Sequence, residues 1–194
     1  MKKKSLTVLI ALALTFGLFA GLMPTANAAG MVCEIAGWGQ FDNLDDALST
    51  VKHTGVIKLL ADIKYNGGIQ IESRTVNFDL NGKKLEIMNP SGAALVVTDG
   101  GVLDLVDPLN GEFLVAGYLS VVAEQDSKAT VTNVGTIGGI SVAITALEPG
   151  SEVIVAGNVW AQDYGVTVSN GGKVRIDGAL INTGGAAYVT IGVK

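Results

Sequence analysis

The chain has 194 residues, of which 48% are apolar, 16% are charged and 26 are glycine. This length suits one or at most two domains, and few charges with many glycines are typical of short strands joined by tight turns. Thirteen Lys and Arg against 18 Asp and Glu make the chain acidic, which argues against binding to nucleic acid or anionic lipid because both depend on basic patches.

The segment 1–28 has the three parts of a secretory signal peptide. Three lysines precede an apolar run from residue 6 to residue 22, and Ala26-Asn27-Ala28 forms an A-x-A cleavage site. We predict cleavage after Ala28; the alternative is a membrane anchor, because the run nearly reaches the roughly 18 to 20 residues that span a bilayer. Cleavage leaves 10 basic against 18 acidic side chains, so the secreted chain has a net charge of −8 and no remaining membrane segment.

Residues 29–41 form a lead-in segment without a clear pattern. It contains Trp38 and Cys33, which is the only cysteine of the chain. An intrachain disulfide is therefore excluded, and we predict a free thiol.

The segment 42–67 predicts a capping helix followed by a first strand. Apolar residues share one face of a helix between Asn43 and Lys52, with Asp42 or Asn43 placed to cap its first turn and Gly55 placed to end it. The following run V-I-K-L-L-A-D-I, residues 56–63, predicts one short strand.

Between residue 68 and residue 194, two short apolar alternations recur in the same order, separated by segments rich in turn-forming residues. This pattern predicts two strands in each repeat. The inward-facing pairs of the first strand are Ile69/Ile71, Leu95/Val97, Val121/Ala123, Val142/Ile144, Val166/Val168 and Val189/Ile191. Those of the second strand are Phe78/Leu80, Leu103/Leu105, Ala129/Val131, Val153/Val155 and Val174/Ile176.

One turn position carries the same kind of residue in every repeat. Two places after the second inward pair stand residues that enter the left-handed region at low cost. They are Gly82, Asp107, Asn133, Gly157 and Gly178. We predict a left-handed corner at each of them.

The regular spacing of these corners predicts an all-β parallel solenoid of about 5 to 6 coils of 21 to 26 residues. Each coil has room for a third short strand, for which the candidates are Leu85, Ile87, Phe113, Ile137, Val159 and Leu180. The alternative is an antiparallel sandwich of hairpins. The repeated corner favours the solenoid, and the helix supplies the cap that its first coil requires.

The segments D-N-L-D-D-A-L-S-T-V-K, V-N-F-D-L-N-G-K-K-L and A-L-V-V-T-D-G-G-V-L-D-L carry a family resemblance. Over residues 41–107 the chain resembles the N-terminal part of pectate-lyase-like β-helix domains in bacterial surface and secreted proteins. The resemblance implies a right-handed parallel β-helix with an N-terminal capping helix. The family includes polysaccharide lyases and hydrolases, and many surface-protein copies have no enzymatic role.

The residues do not form a catalytic constellation. A polysaccharide lyase of this fold class needs an Arg or Lys base beside acids that hold calcium. After signal cleavage the chain has only Arg74 and Arg175, which the repeat places about four coils apart, and His53 at the end of the capping helix. We therefore predict a chain that is not an enzyme, with lyase activity on acidic glycans as the alternative.

Acidic residues provide the candidate cation site. Asp79 and Asp104 take the same outward position in adjacent coils of the predicted alignment, about 5 Å apart, where two carboxylates either repel or share calcium. The residues Asp99, Glu124, Asp126 and Glu148 fall at successive first turns and form an acidic edge. Solvated surface charge is the alternative for both groups, and no other cofactor is predicted.

Aromatic residues provide the candidate ligand site. Trp160, Asp163 and Tyr164 form the cluster best suited to an extracellular glycan, and Tyr118 and Tyr188 lie near the same predicted edge. The alternative is that these rings pack against turns and neighbouring coils.

These observations predict a non-catalytic module with an adhesive or structural role, secreted or held at the bacterial surface. Its predicted partner is an extracellular glycan or a component of a host or cell wall. The last segment, A-A-Y-V-T-I-G-V-K, starts another coil. Judged by the length of the other repeats, it covers about a third of that coil. An uncapped coil invites strand addition, so a third prediction is end-to-end self-association through the C-terminal coil, as in a filament.

Overall fold

A computed structural model describes residues 30–138, 141–184 and 188–192, with only the backbone described in the last segment. The predicted signal peptide and its cleavage site lie outside the described residues. The predicted all-β solenoid is confirmed: parallel strands stack in about six coils, and the described chain contains one short helix.

The elements before the second coil are β1 (Cys33–Ile35), β2 (Gly39–Phe41), α1 (Leu44–Thr50), β3 (Thr54–Leu59), β4 (Ile63–Asn66) and β5 (Ile69–Glu72). The next coils contain β6 (Thr75–Asp79), β7 (Lys84–Thr98), β8 (Val102–Leu105), β9 (Glu112–Ala123), β10 (Lys128–Val131), β11 (Asn133–Thr136) and β12 (Val142–Leu147). The last described elements are β13 (Glu152–Val155), β14 (Val159–Ala161), β15 (Tyr164–Ser169), β16 (Lys173–Ile176), β17 (Leu180–Asn182) and β18 (Tyr188–Gly192).

The strands form three faces around the core. Face 1 contains β3, β6, β8, β10, β13 and β16 in parallel, with β1 and β2 added antiparallel beyond β3. Face 2 contains β4, the start of β7, the start of β9, β11, β14 and β17. Face 3 contains β5, the end of β7, the end of β9, β12, β15 and β18. Both β7 and β9 therefore continue through the corner between faces 2 and 3.

Alternate residues of each strand point inward and stack on the same position of the next coil, which is the period expected of a one-sided buried strand. Phe78 on face 1 and Phe113 on face 2 are fully buried, and their rings meet edge to face with centroids 5.6 Å apart. The later coils fill the same space with Val and Ala, such as Val153 and Ala129. The core is therefore one continuous apolar column.

The strand register differs from the predicted alignment by two residues at two places. Phe78 pairs with Leu105 rather than Leu103. On face 3, Ile144 pairs with Val121, so the inward pair of β12 is Ile144 and Ala146 rather than Val142 and Ile144. A slip of two residues leaves every side chain on the same face, so apolar alternation alone cannot detect it.

The coils differ in length, and the turns absorb the difference. On face 1 the step from Ile57 to its partner Phe78 is short, and the step from Phe78 to Leu105 is the longest. The steps then shorten along the chain, from Leu103/Ala129 through Ala129/Val153 to Val153/Val174. The last of these coils is as short as the first.

The predicted left-handed corner is present at Gly82 and wrong at the four later positions. Gly82 has a φ of 72°, whereas no positive φ occurs at Asp107, Asn133, Gly157 or Gly178. Close approach explains the glycine at position 157: the Asn133 side-chain oxygen accepts a hydrogen bond from the N–H of Asn158 at 2.9 Å, and a Cβ on Gly157 would lie 2.5 Å from that oxygen. A small residue is therefore needed there without a left-handed backbone.

Left-handed residues lie instead at the corner between faces 3 and 1. Asp99 and Gly100 have φ values of 53° and 69°, and Asn170 and Gly171 have 52° and 91°. Both pairs are the centres of tight turns of type I′, the conformation that Asp-Gly and Asn-Gly favour. Further positive φ values at this corner belong to Ser73, Gln125, Asp126, Glu148 and Gly150.

The third strand of each coil is present, with one predicted residue wrong. Leu85, Ile87, Phe113 and Val159 are buried on face 2, as expected. Leu180 continues the column below Val159 and is 37% exposed. In β11 the core position belongs to Val134, which pairs with Val115 and Val159, rather than to Ile137.

The N-terminal end of the solenoid is covered by the hairpin β1–β2 and by α1. The lead-in segment thus contains two strands that the sequence did not predict. The run V-I-K-L-L-A-D-I is also divided, because β3 ends at Leu59 and β4 begins at Ile63. Tyr65 of β4 contacts the helix by donating a hydrogen bond to Asp45 at 2.8 Å. Burial raises the pKa of the Tyr65 hydroxyl, and the Asp45 carboxylate raises it further.

The helix begins as predicted and ends earlier than predicted. Asn43 caps its first turn, because its side-chain oxygen accepts from the N–H of Asp46 at 2.8 Å. The C-cap is Val51 in an extended conformation, whereas Gly55, the predicted terminator, lies in β3.

Replacing Asn43 with alanine is expected to lower the free energy of unfolding by about 0.5–2 kcal/mol, because the helix loses its cap. Chemical denaturation measures the change. Asn43→Ser keeps a capping oxygen and is the matched control, expected to stay close to the parent. Equal losses in both variants would contradict a capping role.

Candidate functional site

The hairpin β1–β2 extends face 1 and aligns a row of polar side chains on its outer surface. Gln40, Glu34, Lys58 and Asp79 follow one another across β2, β1, β3 and β6 in register. Lys58 forms an ion pair with Glu34 at 3.4 Å, and Gln40 donates a hydrogen bond to the same carboxylate at 3.4 Å. The row lies outward because the intervening residues of these short strands point to the core.

A depression of about 360 Å³, the Glu34 depression, lies over this row. Its lining residues are Glu34, Ile35, Ala36, Gly37, Gly39, Gln40, Val56, Lys58 and Asp79. Two carboxylates and one ammonium face it, and the ammonium is already paired with Glu34. The ion pair cancels one carboxylate, and the Asp79 carboxylate leaves the depression with one net negative charge.

A second depression of about 180 Å³, the Trp38 depression, lies on the side of the hairpin that faces the end of the helix. It is lined by Ile35, Trp38 and the stretch from Thr50 to Gly55, which includes Lys52 and His53. Trp38 is 71% exposed at the tip of the hairpin. An exposed indole ring beside cationic and hydroxyl side chains is a surface suited to binding rather than to packing.

Of the three residues weighed for lyase chemistry, Arg74 and His53 lie in adjacent coils, where the N–H of Thr75 donates to the His53 carbonyl at 2.7 Å. Arg175 lies apart from them on β16. Arg74 is engaged by the cap: one nitrogen of its guanidinium donates to the carbonyl oxygens of Leu48 and Val51 at 2.6 and 2.7 Å. Arg175 pairs with Asp177 at 3.2 Å on the exposed surface of β16. His53 lies exposed beyond the helix end, in the wall of the Trp38 depression.

The predicted pair of carboxylates does not form. Asp104 lies opposite Asn77, whereas Asp79 lies opposite Lys58, which is the two-residue slip described above. Among the described residues, no three His, Cys, Asp or Glu side chains come together as a group that would hold a metal ion. The structure thus gives no geometric support to the predicted calcium site at Asp79 and Asp104.

The acidic edge follows the corner between faces 3 and 1. Asp99, Asp126 and Glu148 have left-handed backbones in three successive turns there. Glu124 directly follows β9, at the start of the turn that contains Asp126. Asp99, Asp126 and Glu148 are exposed. The edge is therefore a solvated acidic border of the solenoid.

The predicted glycan cluster spans two faces. Trp160 lies on β14 of face 2, half-buried beside Gly135 and Ile181 of the neighbouring coils. Tyr164 starts β15 of face 3, and Asp163 lies in the turn between them. Glycan binding at this cluster remains a prediction. Tyr118 is 44% exposed in β9, and the side chain of Tyr188 lies outside the described residues.

Cys33 is buried in β1 and forms part of the core. Burial raises the pKa of its thiol from 9.0 to about 11. The folded chain therefore holds the neutral thiol, which makes a poor nucleophile.

This burial predicts a pH dependence of stability. Below pH 9 the thiol is protonated in both the folded and the unfolded chain, so it does not change the free energy of unfolding. Between pH 9 and about 11 only the thiol of the unfolded chain ionises. Over this range the free energy of unfolding is expected to fall by about 1.4 kcal/mol per pH unit relative to Cys33→Ala. Denaturation of both proteins at pH 8 and pH 10 measures the difference. Parallel pH profiles would contradict it.

The Trp38 depression was not predicted from the sequence. The signal available there was the tripeptide G-W-G, in which Gly37 and Gly39 have φ values of 82° and 109°. Two glycines around an aromatic residue indicate a turn that presents the ring outward. That indication is weak without the neighbouring strands.

No protein-family model, curated protein or solved structure matches the chain. The family resemblance of residues 41–107 therefore remains a prediction, while the solenoid itself stands on the structure. Among the described residues, none of the helices has the length and apolar character needed to cross a bilayer.

Proposed function

We propose that this chain is a secreted, non-catalytic β-helix module of a bacterial surface or extracellular protein, with an adhesive or structural role. The resemblance to pectate-lyase-like surface domains and the signal-peptide pattern support this proposal. One fold can serve many functions, so the resemblance alone does not assign one. The proposal also needs an observation of the structure itself.

The observation that carries the proposal is the continuous ladder of parallel strands. On face 1 the strands from β3 to β16 pair in one continuous ladder, and the inward side chains are buried as far as β13 and partly buried in β16. Such a body exposes few flexible backbone segments to proteases and holds its outer side chains at spacings of about 4.8 Å. Those are the properties of a durable display surface.

The test begins with the full chain, carrying a C-terminal tag, in a secreting bacterial host. We expect a product cleaved after Ala28, recovered outside the cytoplasm, that resists trypsin under native conditions and is digested after denaturation. Uncleaved protein confined to the cytoplasm would overturn the assignment to the surface.

A second measurement separates display from catalysis. The purified mature chain is incubated with an acidic polysaccharide, and the unsaturated product of a lyase is followed by absorbance. No product is expected. Steady accumulation of unsaturated sugar would overturn the non-catalytic assignment and establish the lyase alternative.

A further inference from the structure

We propose that the Trp38 depression binds a sugar residue that carries an anionic group, such as a carboxylate or a phosphate. The inference deepens the adhesive role proposed above and rests on it. It places the binding site on the N-terminal cap rather than at the aromatic cluster around Trp160.

The indole is presented by a fixed backbone. Trp38 donates its backbone N–H to the Ile35 carbonyl at 2.9 Å and so closes the turn between β1 and β2. Ile35 itself pairs with Gly39 and with Ile57 of face 1. Trp38 is 71% exposed, compared with 44% for Tyr118. An uncovered indole on a fixed turn offers its apolar face to the C–H side of a pyranose ring.

The sign of the local charge selects an anion. The described lining of the Trp38 depression contains Lys52 and His53 and no Asp or Glu, although the chain has 18 acidic against 13 basic residues. The neighbouring Glu34 depression contains two carboxylates. An anionic group is therefore attracted to the Trp38 depression and repelled by the Glu34 depression.

The size and the remaining polar groups select a saccharide over a protein. At about 180 Å³ the depression lies below the range of roughly 300–1,000 Å³ typical of drug-sized ligands, so it suits a ligand of about one sugar ring. Thr50 and Thr54 add hydroxyl groups to the wall that can hydrogen-bond to sugar hydroxyls. A protein partner needs about 800 Å² on each side, far more than this depression offers.

The experiment uses Trp38 as its own reporter. The chain contains two tryptophans, so Trp160→Phe leaves Trp38 as the only one. The mature chain with this change is titrated with methyl glucuronide, glucose 6-phosphate and neutral methyl glucoside. We expect a saturable change in Trp38 fluorescence with at least one anionic sugar. The neutral sugar should bind more weakly, by about threefold.

Variants then test the assignment by ligand-observed NMR, which does not depend on tryptophan. Trp38→Ala is expected to weaken binding by about tenfold, as for a lost stacking surface. Lys52→Gln should remove the preference for the anionic sugar and leave the neutral one unchanged. Leu109→Ala, which truncates another exposed apolar side chain, is the control and should bind as the parent does.

The outcomes are separable from those of the proposed function. Absence of saturable binding, or binding that survives in Trp38→Ala, would overturn the site while leaving secretion and protease resistance untouched. Equal binding of the charged and neutral sugars would overturn the anionic preference. Capture of a protein through Trp38 with no response to any sugar would also overturn the proposal. Circular dichroism of each variant confirms that the fold is intact.

Discussion

Phe78→Ala is expected to lower the free energy of unfolding by about 3–5 kcal/mol. Phe78 is fully buried, and its ring contacts that of Phe113 edge to face with centroids 5.6 Å apart. The two rings are the largest fully buried side chains of the described core. Because the strands of faces 1 and 2 are tied to the coils above and below, they cannot collapse into the space that the ring leaves.

Urea denaturation followed by far-ultraviolet circular dichroism measures this loss. Leu109→Ala is the control, because Leu109 is 87% exposed and its truncation should change stability by no more than about 0.5 kcal/mol. If Phe78→Ala were as stable as Leu109→Ala, a tightly packed aromatic core would be ruled out.

The second large effect is expected at Arg74. Its guanidinium donates to the carbonyl oxygens of Leu48 and Val51, which belong to the last turn and the C-cap of α1. These carbonyls have no partner within a helix that ends there. Arg74→Gln is expected to cost about 2–3 kcal/mol, since hydrogen bonds to charged groups contribute about 1.5–3 kcal/mol each.

Hydrogen exchange distinguishes a cap contact from a general loss of stability. In Arg74→Gln, the amides of α1 should exchange faster than those of β8 and β10. Arg175→Gln removes the other arginine, whose exposed pair with Asp177 should contribute about 0–1 kcal/mol. Uniform acceleration throughout the coils of Arg74→Gln would rule out a specific role at the cap.

Much of the fold was predictable because its strands obey a simple pattern. Alternation placed residues such as Ile71, Val97 and Val155 in the core, and all three are fully buried. Asn-Gly and Asp-Gly marked real turns at positions 81–82 and 99–100. Local preference and long-range structure agree at these residues, which is why local reasoning succeeds there.

The register was not predictable in the same way. Pairing Phe78 with Leu103 or with Leu105 buries the same kinds of side chain, and only the length of the intervening turn decides between them. The predicted pairing of Asp79 with Asp104 was wrong because it relied on the same two-residue shift in register. The predicted left-handed corners were wrong at Gly157 and Gly178 because glycine also occurs where two chain segments lie close together, without a left-handed backbone.

The candidate site was the least predictable part. Lys52 and His53 follow the helix in sequence, whereas Trp38 precedes it, and the sequence shows no pattern that joins them. The antiparallel pairing of β1 with β3 brings the hairpin tip beside the helix end. A contact made by tertiary pairing of short strands leaves little trace in local propensity.

The unequal coil lengths limit how the solenoid can evolve. The coils are shortest at either end and longest at the step from Phe78 to Leu105, and the turns take up the added residues. A duplicated coil would therefore fit best beside a coil whose turns have a similar length. The repeats are therefore similar in pattern without being interchangeable.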